Sequence, residues 1–176
     1  MKTRILVKEG EYRLAKAYCM DAKIDAQELY CFLTGMDKVQ LFLKAEEEVD
    51  PEIEEKYMEL IAKRAERIPL QHITGVQEFM GHTFKVSPDV LIPRQDTETL
   101  VEAALECAKT AEADKELHIL DMCTGSGCIL ISILKEMPKA CGTGVDLSEL
   151  ALEVAERNAR TLEVADRAEF IQGDLF

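Results

Sequence analysis

Positive charge is scarce in this sequence: 21 Lys and Arg stand against 34 Asp and Glu, for a formal net charge of -13. The resulting negative far field repels phosphate backbones and anionic lipid surfaces, which argues against free nucleic acid as a direct substrate and against a membrane partner. Acidic runs such as Glu46-Glu47-Glu48 read as solvated surface. Histidine is rarer still, with three in 176 residues. The six cysteines, at 19, 31, 107, 123, 128 and 141, include no CxxC pair, so no zinc-ligand spacing is present and no metal is expected. A disulfide framework is not expected either. The stretch from Met1 to Lys8 has no apolar run of signal-peptide length, and no later stretch is long enough to span a bilayer. Internal repeats and low-complexity tracts are missing too. These absences describe a cytoplasmic protein with free thiols.

What is there is apolar residues, 47% of the chain, enough for one core or two small ones. The first seventy or so residues carry helical signals throughout. Asp25 followed by Glu28 has the spacing of a capping box, Ala26, Leu29, Tyr30 and Leu33 follow on one face, and Gly35 closes the segment. Asp50-Pro51 starts another helix, with Glu52, Glu54 and Glu55 near its positive end. Its inner face reads Ile53, Tyr57, Leu60, Ile61, Arg64 and Ile68, and Pro69 ends it. The pattern alternates from Gly75 to Val86 around Met80-Gly81-His82, which predicts a hairpin, followed by extended Val90-Leu91-Ile92 before Pro93. Helical spacing returns with Leu100, Val101, Ala104, Leu105 and Ala108. Beyond it a strand at Leu117-Asp121, a helix from Cys128 to Met137, a strand ending at Val145-Asp146, a helix capped by Ser148 and a strand at Phe170-Ile171 predict an α/β, parallel, doubly wound sheet.

The chemistry-bearing constellation is Asp121-Met122-Cys123-Thr124-Gly125-Ser126-Gly127. Glycines between a buried strand and a helix let the backbone approach a ligand, and the helix start offers free N–H groups, so a nucleotide-like ligand fits. A dinucleotide fingerprint requires a third glycine where Leu130 stands, and a carboxylate such as Asp121 beside a pyrophosphate is repulsive. Beside the ammonium and sulfonium of S-adenosyl-L-methionine that carboxylate is favourable. Asp146, ending the next strand, is placed to accept from both hydroxyls of a ribose, and Asp174 lies at the same edge, bordering the adenine.

The segments Pro69 to Gly75, Glu78 to Gly81, Val90 to Glu98 and Asp121 to Gly127, taken together and in this order, resemble the successive signatures of the PrmC/HemK family of release-factor glutamine methyltransferases. The resemblance implies a helical substrate-recognition domain over 1–73, a hairpin linker over 74–96, and over 97–176 the first half of a Rossmann-like seven-stranded methyltransferase domain. It implies S-adenosyl-L-methionine-dependent methylation of the glutamine in the Gly-Gly-Gln loop of a class 1 peptide release factor. Under it Cys123, Thr124, Gly125, Ser126 and Gly127 line the methionine part of the cofactor, Asp146 holds the ribose, and Leu175 sits near the adenine. Leu91 and Arg94 match the linker element over the cofactor site.

Cys123 stands where many methyltransferases have glycine and reads as a small wall residue; methyl transfer to an amide needs no covalent thiol. The family's Asn-Pro-Pro-Tyr motif is expected just after Asp174 and is not among the 176 residues, so no catalytic residue is assigned within them. His72, His82 and His118 are not assigned as bases, His118 being expected to pack within its strand. An unpaired edge on the Leu117-Asp121 strand is expected to favour self-association. Two other readings stay open, a nicotinamide-binding oxidoreductase and a noncatalytic adaptor that binds a release factor.

Overall fold

The computed structural model describes residues 1–110 and 117–175, which divide into two compact units, Met1–Thr74 and Gly75–Phe176. The first unit is helical: α1 (Thr3–Lys16), α2 (Ala22–Thr34), α3 (Lys38–Leu43), α4 (Pro51–Ala65) and the short α5 (Leu70–Thr74). Local chemistry sets most of the ends. Asp50 accepts the Glu52 N–H at 2.8 Å with Pro51 in the first turn, as the sequence predicts, and Asp37 with Gln40 forms a capping box that starts α3. Gly35 closes α2 in the left-handed conformation.

Asp25 does not cap α2. The helix begins at Ala22, so Asp25 lies inside it, buried, and its carboxylate accepts from the Arg64 guanidinium of α4 at 2.7 Å. The capping-box spacing misleads here because Asp25 has a better partner in another helix than the backbone of its own. That pair also explains a charged residue on the inner face of α4. Around it lie Leu6, Leu14, Ala26, Leu29, Tyr57 and Ile61, all almost fully buried. Tyr57 meets Tyr30 edge-on at 5.5 Å between ring centres and donates to the Ala26 carbonyl at 3.0 Å. Gly10 of α1 makes room for it, since a Cβ there would run into the Tyr57 phenol. Burial pushes that phenol well above the usual tyrosine range, so it stays a neutral donor.

The second unit opens with a hairpin, β1 (Val76–Phe79) and β2 (His82–Lys85), antiparallel, with Phe79 opposite His82 across the Met80-Gly81 turn. Both turn residues have positive φ, 50° and 72°, as two-residue hairpins require. The hairpin's Phe79 and Phe84 are buried in the same core as Val101, Leu130, Ile131, Leu134 and Val164, so this segment, read from the sequence as a connector, contributes to the core of the second unit. A 3-10 turn (Gln95–Thr97) leads into α6 (Glu98–Thr110). Then β3 (His118–Met122), α7 (Cys128–Glu136), β4 (Cys141–Asp146), α8 (Glu149–Thr161) and β5 (Ala168–Gln172) alternate. The three strands are parallel in the order β3-β4-β5. Ser148 caps α8 through the Ala151 N–H. Arg167 closes α7 from outside: its guanidinium donates to the carbonyls of Leu134, Met137 and Ala140 at 2.9, 3.0 and 2.7 Å, where a helix end otherwise leaves acceptors bare. His118 is exposed rather than packed, with the Thr143 hydroxyl 3.3 Å from its Nε2. Among the described residues no helix is long and apolar enough to cross a membrane.

The Asp25–Arg64 pair gives a direct test of the helical unit. Removing one partner leaves a charge in a nearly dry site, so Arg64→Ala should cost about 3 kcal/mol. Urea unfolding followed at the α2 and α4 amides checks this. Asp25→Leu combined with Arg64→Met should recover most of the loss, and a double variant as unstable as the single one contradicts the account.

Candidate cofactor site

Parallel strands put all their carboxyl ends on one edge, and three loops leave the sheet there: Cys123 to Gly127 after β3, Leu147-Ser148 after β4, and Gly173 to Leu175 after β5. Asp146 holds the three together. Its Oδ2 accepts the Gly125 N–H at 2.8 Å, its Oδ1 accepts the Ser148 N–H at 3.0 Å, and its backbone carbonyl accepts the Gly173 N–H at 3.0 Å. Two further bonds lock the same edge, Thr124 N–H to the Val145 carbonyl at 2.9 Å and the Gln172 amide to the Leu147 carbonyl at 3.1 Å.

The glycine turn alternates into the left-handed region at Cys123 (φ 60°), Gly125 (55°) and Gly127 (77°). Only glycine suits the last, because a Cβ there would lie 2.8 Å from Ile131 Cδ1 and 3.2 Å from Ala155 Cβ. Cys123 is exposed, whereas Cys128, the first residue of α7, is buried and its thiol is pushed up to about 11 by that burial. Thr124 and Ser126 are buried, so what those two offer a ligand is backbone.

Two carboxylates already take donors that a helix start normally presents to an anion. Asp146 holds the Gly125 N–H, and Asp121 accepts both the Thr124 hydroxyl at 2.7 Å and the Leu130 backbone N–H in the first turn of α7. Burial pushes the Asp121 carboxyl above the usual range; those two hydrogen bonds oppose the shift, and the Asp146 charge adds to it.

Beside the turn lies a cleft of about 200 Å³ lined by Met122, Cys123, Val145, Asp146, Leu147, Gly173, Asp174 and Leu175. It brings together four residues expected from the sequence, Cys123, Asp146, Asp174 and Leu175, and Asp121, Thr124, Gly125, Ser126 and Gly127 form the strand end and turn next to it. Leu91 and Arg94 do not line it. Val90 is buried with Val86, Ala151 and Val154, which fixes that segment on α8 and leaves Leu91 74% exposed. Met122, Val145, Leu147 and Gly173 were not singled out from the sequence. Their signal is position, at the strand ends flanking residues that were. Larger hollows lie elsewhere, near Leu105 and Pro138 in this unit and near Val7 and Leu41 in the helical one, but neither carries the glycine turn or the paired carboxylates. Among the described residues no group of His, Cys, Asp or Glu is arranged to hold a metal ion.

Residues 6–75 match the PrmC N-terminal domain, and residues 113–176 match a methyltransferase domain. A release factor glutamine methyltransferase of Moorella thermoacetica is 40% identical over 174 residues, 99% of this chain and 60% of that protein. One of Koribacter versatilis is 42% identical over 153 residues, 87% of this chain and 53% of that protein. Among solved structures, an RNA methyltransferase of Salinibacter ruber in complex with S-adenosyl-L-homocysteine is 32% identical with a TM-score of 0.40, covering 49% of this chain and 52% of that one. The chain thus spans between 53% and 60% of the length of these two curated relatives. With the glycine turn at the carboxyl edge of a parallel sheet, its second unit is similar to a methyltransferase domain. Its first unit is similar to the PrmC N-terminal domain, and both relatives named above are release factor glutamine methyltransferases.

Asp121 carries a cost that pH should reveal. Its raised folded value favours the neutral form, so the penalty is absent below the ordinary value of 3.8 and grows as pH rises through the raised one. Asp121→Asn should therefore melt higher than the parent chain at pH 7, by a margin that shrinks as pH is lowered toward 3.8. A variant that melts lower at pH 7 contradicts this reading of the site.

Proposed function

We propose that the glycine turn and its cleft bind S-adenosyl-L-methionine, within a protein-(glutamine-N5) methyltransferase acting on the Gly-Gly-Gln loop of class 1 peptide release factors. One observation carries the choice of cofactor: Asp146 takes the Gly125 N–H of the turn, Asp121 stands at the strand end beside it, and among the described residues no Lys, Arg or His lines the cleft. A pyrophosphate would find two carboxylates and no cation, whereas a ligand bearing an ammonium and a sulfonium gains from both charges. The residues fit such a ligand in detail. Each Asp146 oxygen keeps a lone pair beyond its backbone bond and can accept from a ribose hydroxyl. Met122, Leu147 and Leu175 supply apolar walls for a purine, with Asp174 at its edge. Asp121 neutralises the amino-acid end, and the small Cys123 leaves the turn's backbone within reach of it.

When bound, the cofactor supplies an electrophilic methyl group. The chain's residues contribute binding and orientation to that reaction, not proton transfer. An amide nitrogen is a weak nucleophile with a delocalised lone pair, so it must be fixed in line with the methyl by groups that hydrogen-bond the amide. The Asn-Pro-Pro-Tyr motif of the resembled family has that chemistry and is not among the 176 residues. The names of the relatives support the release factor as substrate. A nicotinamide dinucleotide is disfavoured further by Leu130, fully buried where its fingerprint needs a third glycine.

Calorimetry should show S-adenosylhomocysteine binding tighter than NAD, with Asp146→Ala weakening it by roughly 1–3 kcal/mol; tighter NAD binding would falsify the assignment. Iodoacetamide should label Cys123 but not Cys128, and the ligand should protect Cys123. Labelled methyl should pass to a Gly-Gly-Gln protein only when the sequence carrying Asn-Pro-Pro-Tyr is joined to these residues. Turnover by residues 1–176 alone would place a catalytic group among those assigned to binding.

A further inference from the structure

Asn158 stands on the inner face of α8 beside Ala155 and Ala159, only 1% exposed. A carboxamide buried that deeply is costly unless its hydrogen-bonding groups are met. Here they are met by two segments far apart in sequence. The Oδ1 accepts the Lys85 N–H at 2.7 Å, while Nδ2 donates to the Lys85 carbonyl at 3.0 Å and to the Ser126 carbonyl at 2.9 Å. The partners fix which way the amide points, because one of them is a donor and two are acceptors. To β2 the side chain offers what a neighbouring strand would, a paired acceptor and donor for one residue's backbone. Its remaining N–H goes to the glycine turn, at the residue before Gly127.

The hairpin has a separate polar anchor at its tip, where the Met80 N–H donates to the Glu98 carboxylate at 2.8 Å, and an apolar one in Phe79 and Phe84. The Asn158 carboxamide holds hairpin and turn together through one side chain. A planar amide with short bonds at both ends transmits position, since the Ser126 carbonyl cannot shift without pulling on Lys85.

We propose that Asn158 is a positioning residue that couples the β1–β2 hairpin to the glycine turn, so that order in the hairpin and ligand occupancy at the turn rise together. The ligand part of this rests on the cofactor reading above; the mechanical part does not. Three variants separate the possibilities. Asn158→Ala removes all three bonds. Asn158→Asp keeps an acceptor for Lys85 N–H but sets a carboxylate against two carbonyls. Glu98→Gln alters the hairpin at its tip alone.

Hydrogen exchange read at single amides decides the matter. Without ligand, both Asn158 variants should speed exchange at Lys85 and also at Gly125 and Gly127 by about tenfold, whereas Glu98→Gln should speed Met80 and leave the turn unchanged. Faster exchange at Lys85 with Gly125 and Gly127 unaffected would overturn the proposal and leave Asn158 a hairpin anchor. In the unaltered chain, S-adenosylhomocysteine should slow exchange at Lys85 by about fivefold, and the gain should vanish in Asn158→Asp. Should Asn158→Ala fail to fold, Asn158→Asp and the unaltered chain still decide. Ligand that binds by calorimetry yet leaves Lys85 exchange unchanged overturns the coupling. Absence of any binding contradicts the cofactor reading instead, and the ligand-free exchange at the turn then settles the mechanical coupling alone.

Discussion

The carboxyl edge of the sheet depends on Asp146. With one side chain and one carbonyl it accepts three backbone N–H groups, from Gly125, Ser148 and Gly173, one in each loop that leaves the strands. Charge-assisted bonds of this kind are stronger than neutral ones, and here they replace a ligand as the agent that shapes the turn. Without them the turn after β3 would have its N–H groups free and its conformation set by whatever bound. With them the cleft between Cys123, Asp146 and Leu175 is formed in advance.

That pre-formation has an electrostatic consequence. A turn of this shape ordinarily serves phosphates, because the helix start behind it is electropositive. Placing Asp121 and Asp146 beside it opposes that preference and sets two like charges near each other, one of them half-buried. On the proposed reading a cationic ligand relieves that strain, so stability and binding are opposed at Asp121.

Much of this was legible in the sequence, for reasons that can be named. The Met80-Gly81 hairpin, the Asp50-Pro51 and Ser148 helix starts and the strand-turn-helix around Gly125 and Gly127 are local: a few adjacent residues dictate the backbone, so the order of elements reads straight off the chain. The polar residues that act at long range were not legible. Asp25 looked like a cap because its partner Arg64 is 39 residues away, and nothing near Asn158 announces Lys85, 73 residues back. Arg167 reads as a surface cation until the open end of α7 is seen beneath it. Leu91 and Arg94 matched a family element by sequence, yet the burial of Val90 decides where that segment lies. Periodicity treats a polar residue on an apolar face as noise, while in the folded chain such residues join the segments.

The central claim is that a ligand with an adenosine and a cationic tail sits at the carboxyl edge, its ribose on Asp146. A crystal structure of the chain with S-adenosyl-L-methionine tests it most directly. The account predicts both ribose hydroxyls within hydrogen-bond distance of the Asp146 carboxylate, the purine against Leu147 and Leu175, and the ammonium turned toward Asp121, with the bonds from Gly125 and Ser148 to Asp146 unbroken. A ligand bound away from this edge, or one that displaces Gly125 from Asp146 to reach the turn's N–H groups, would contradict it.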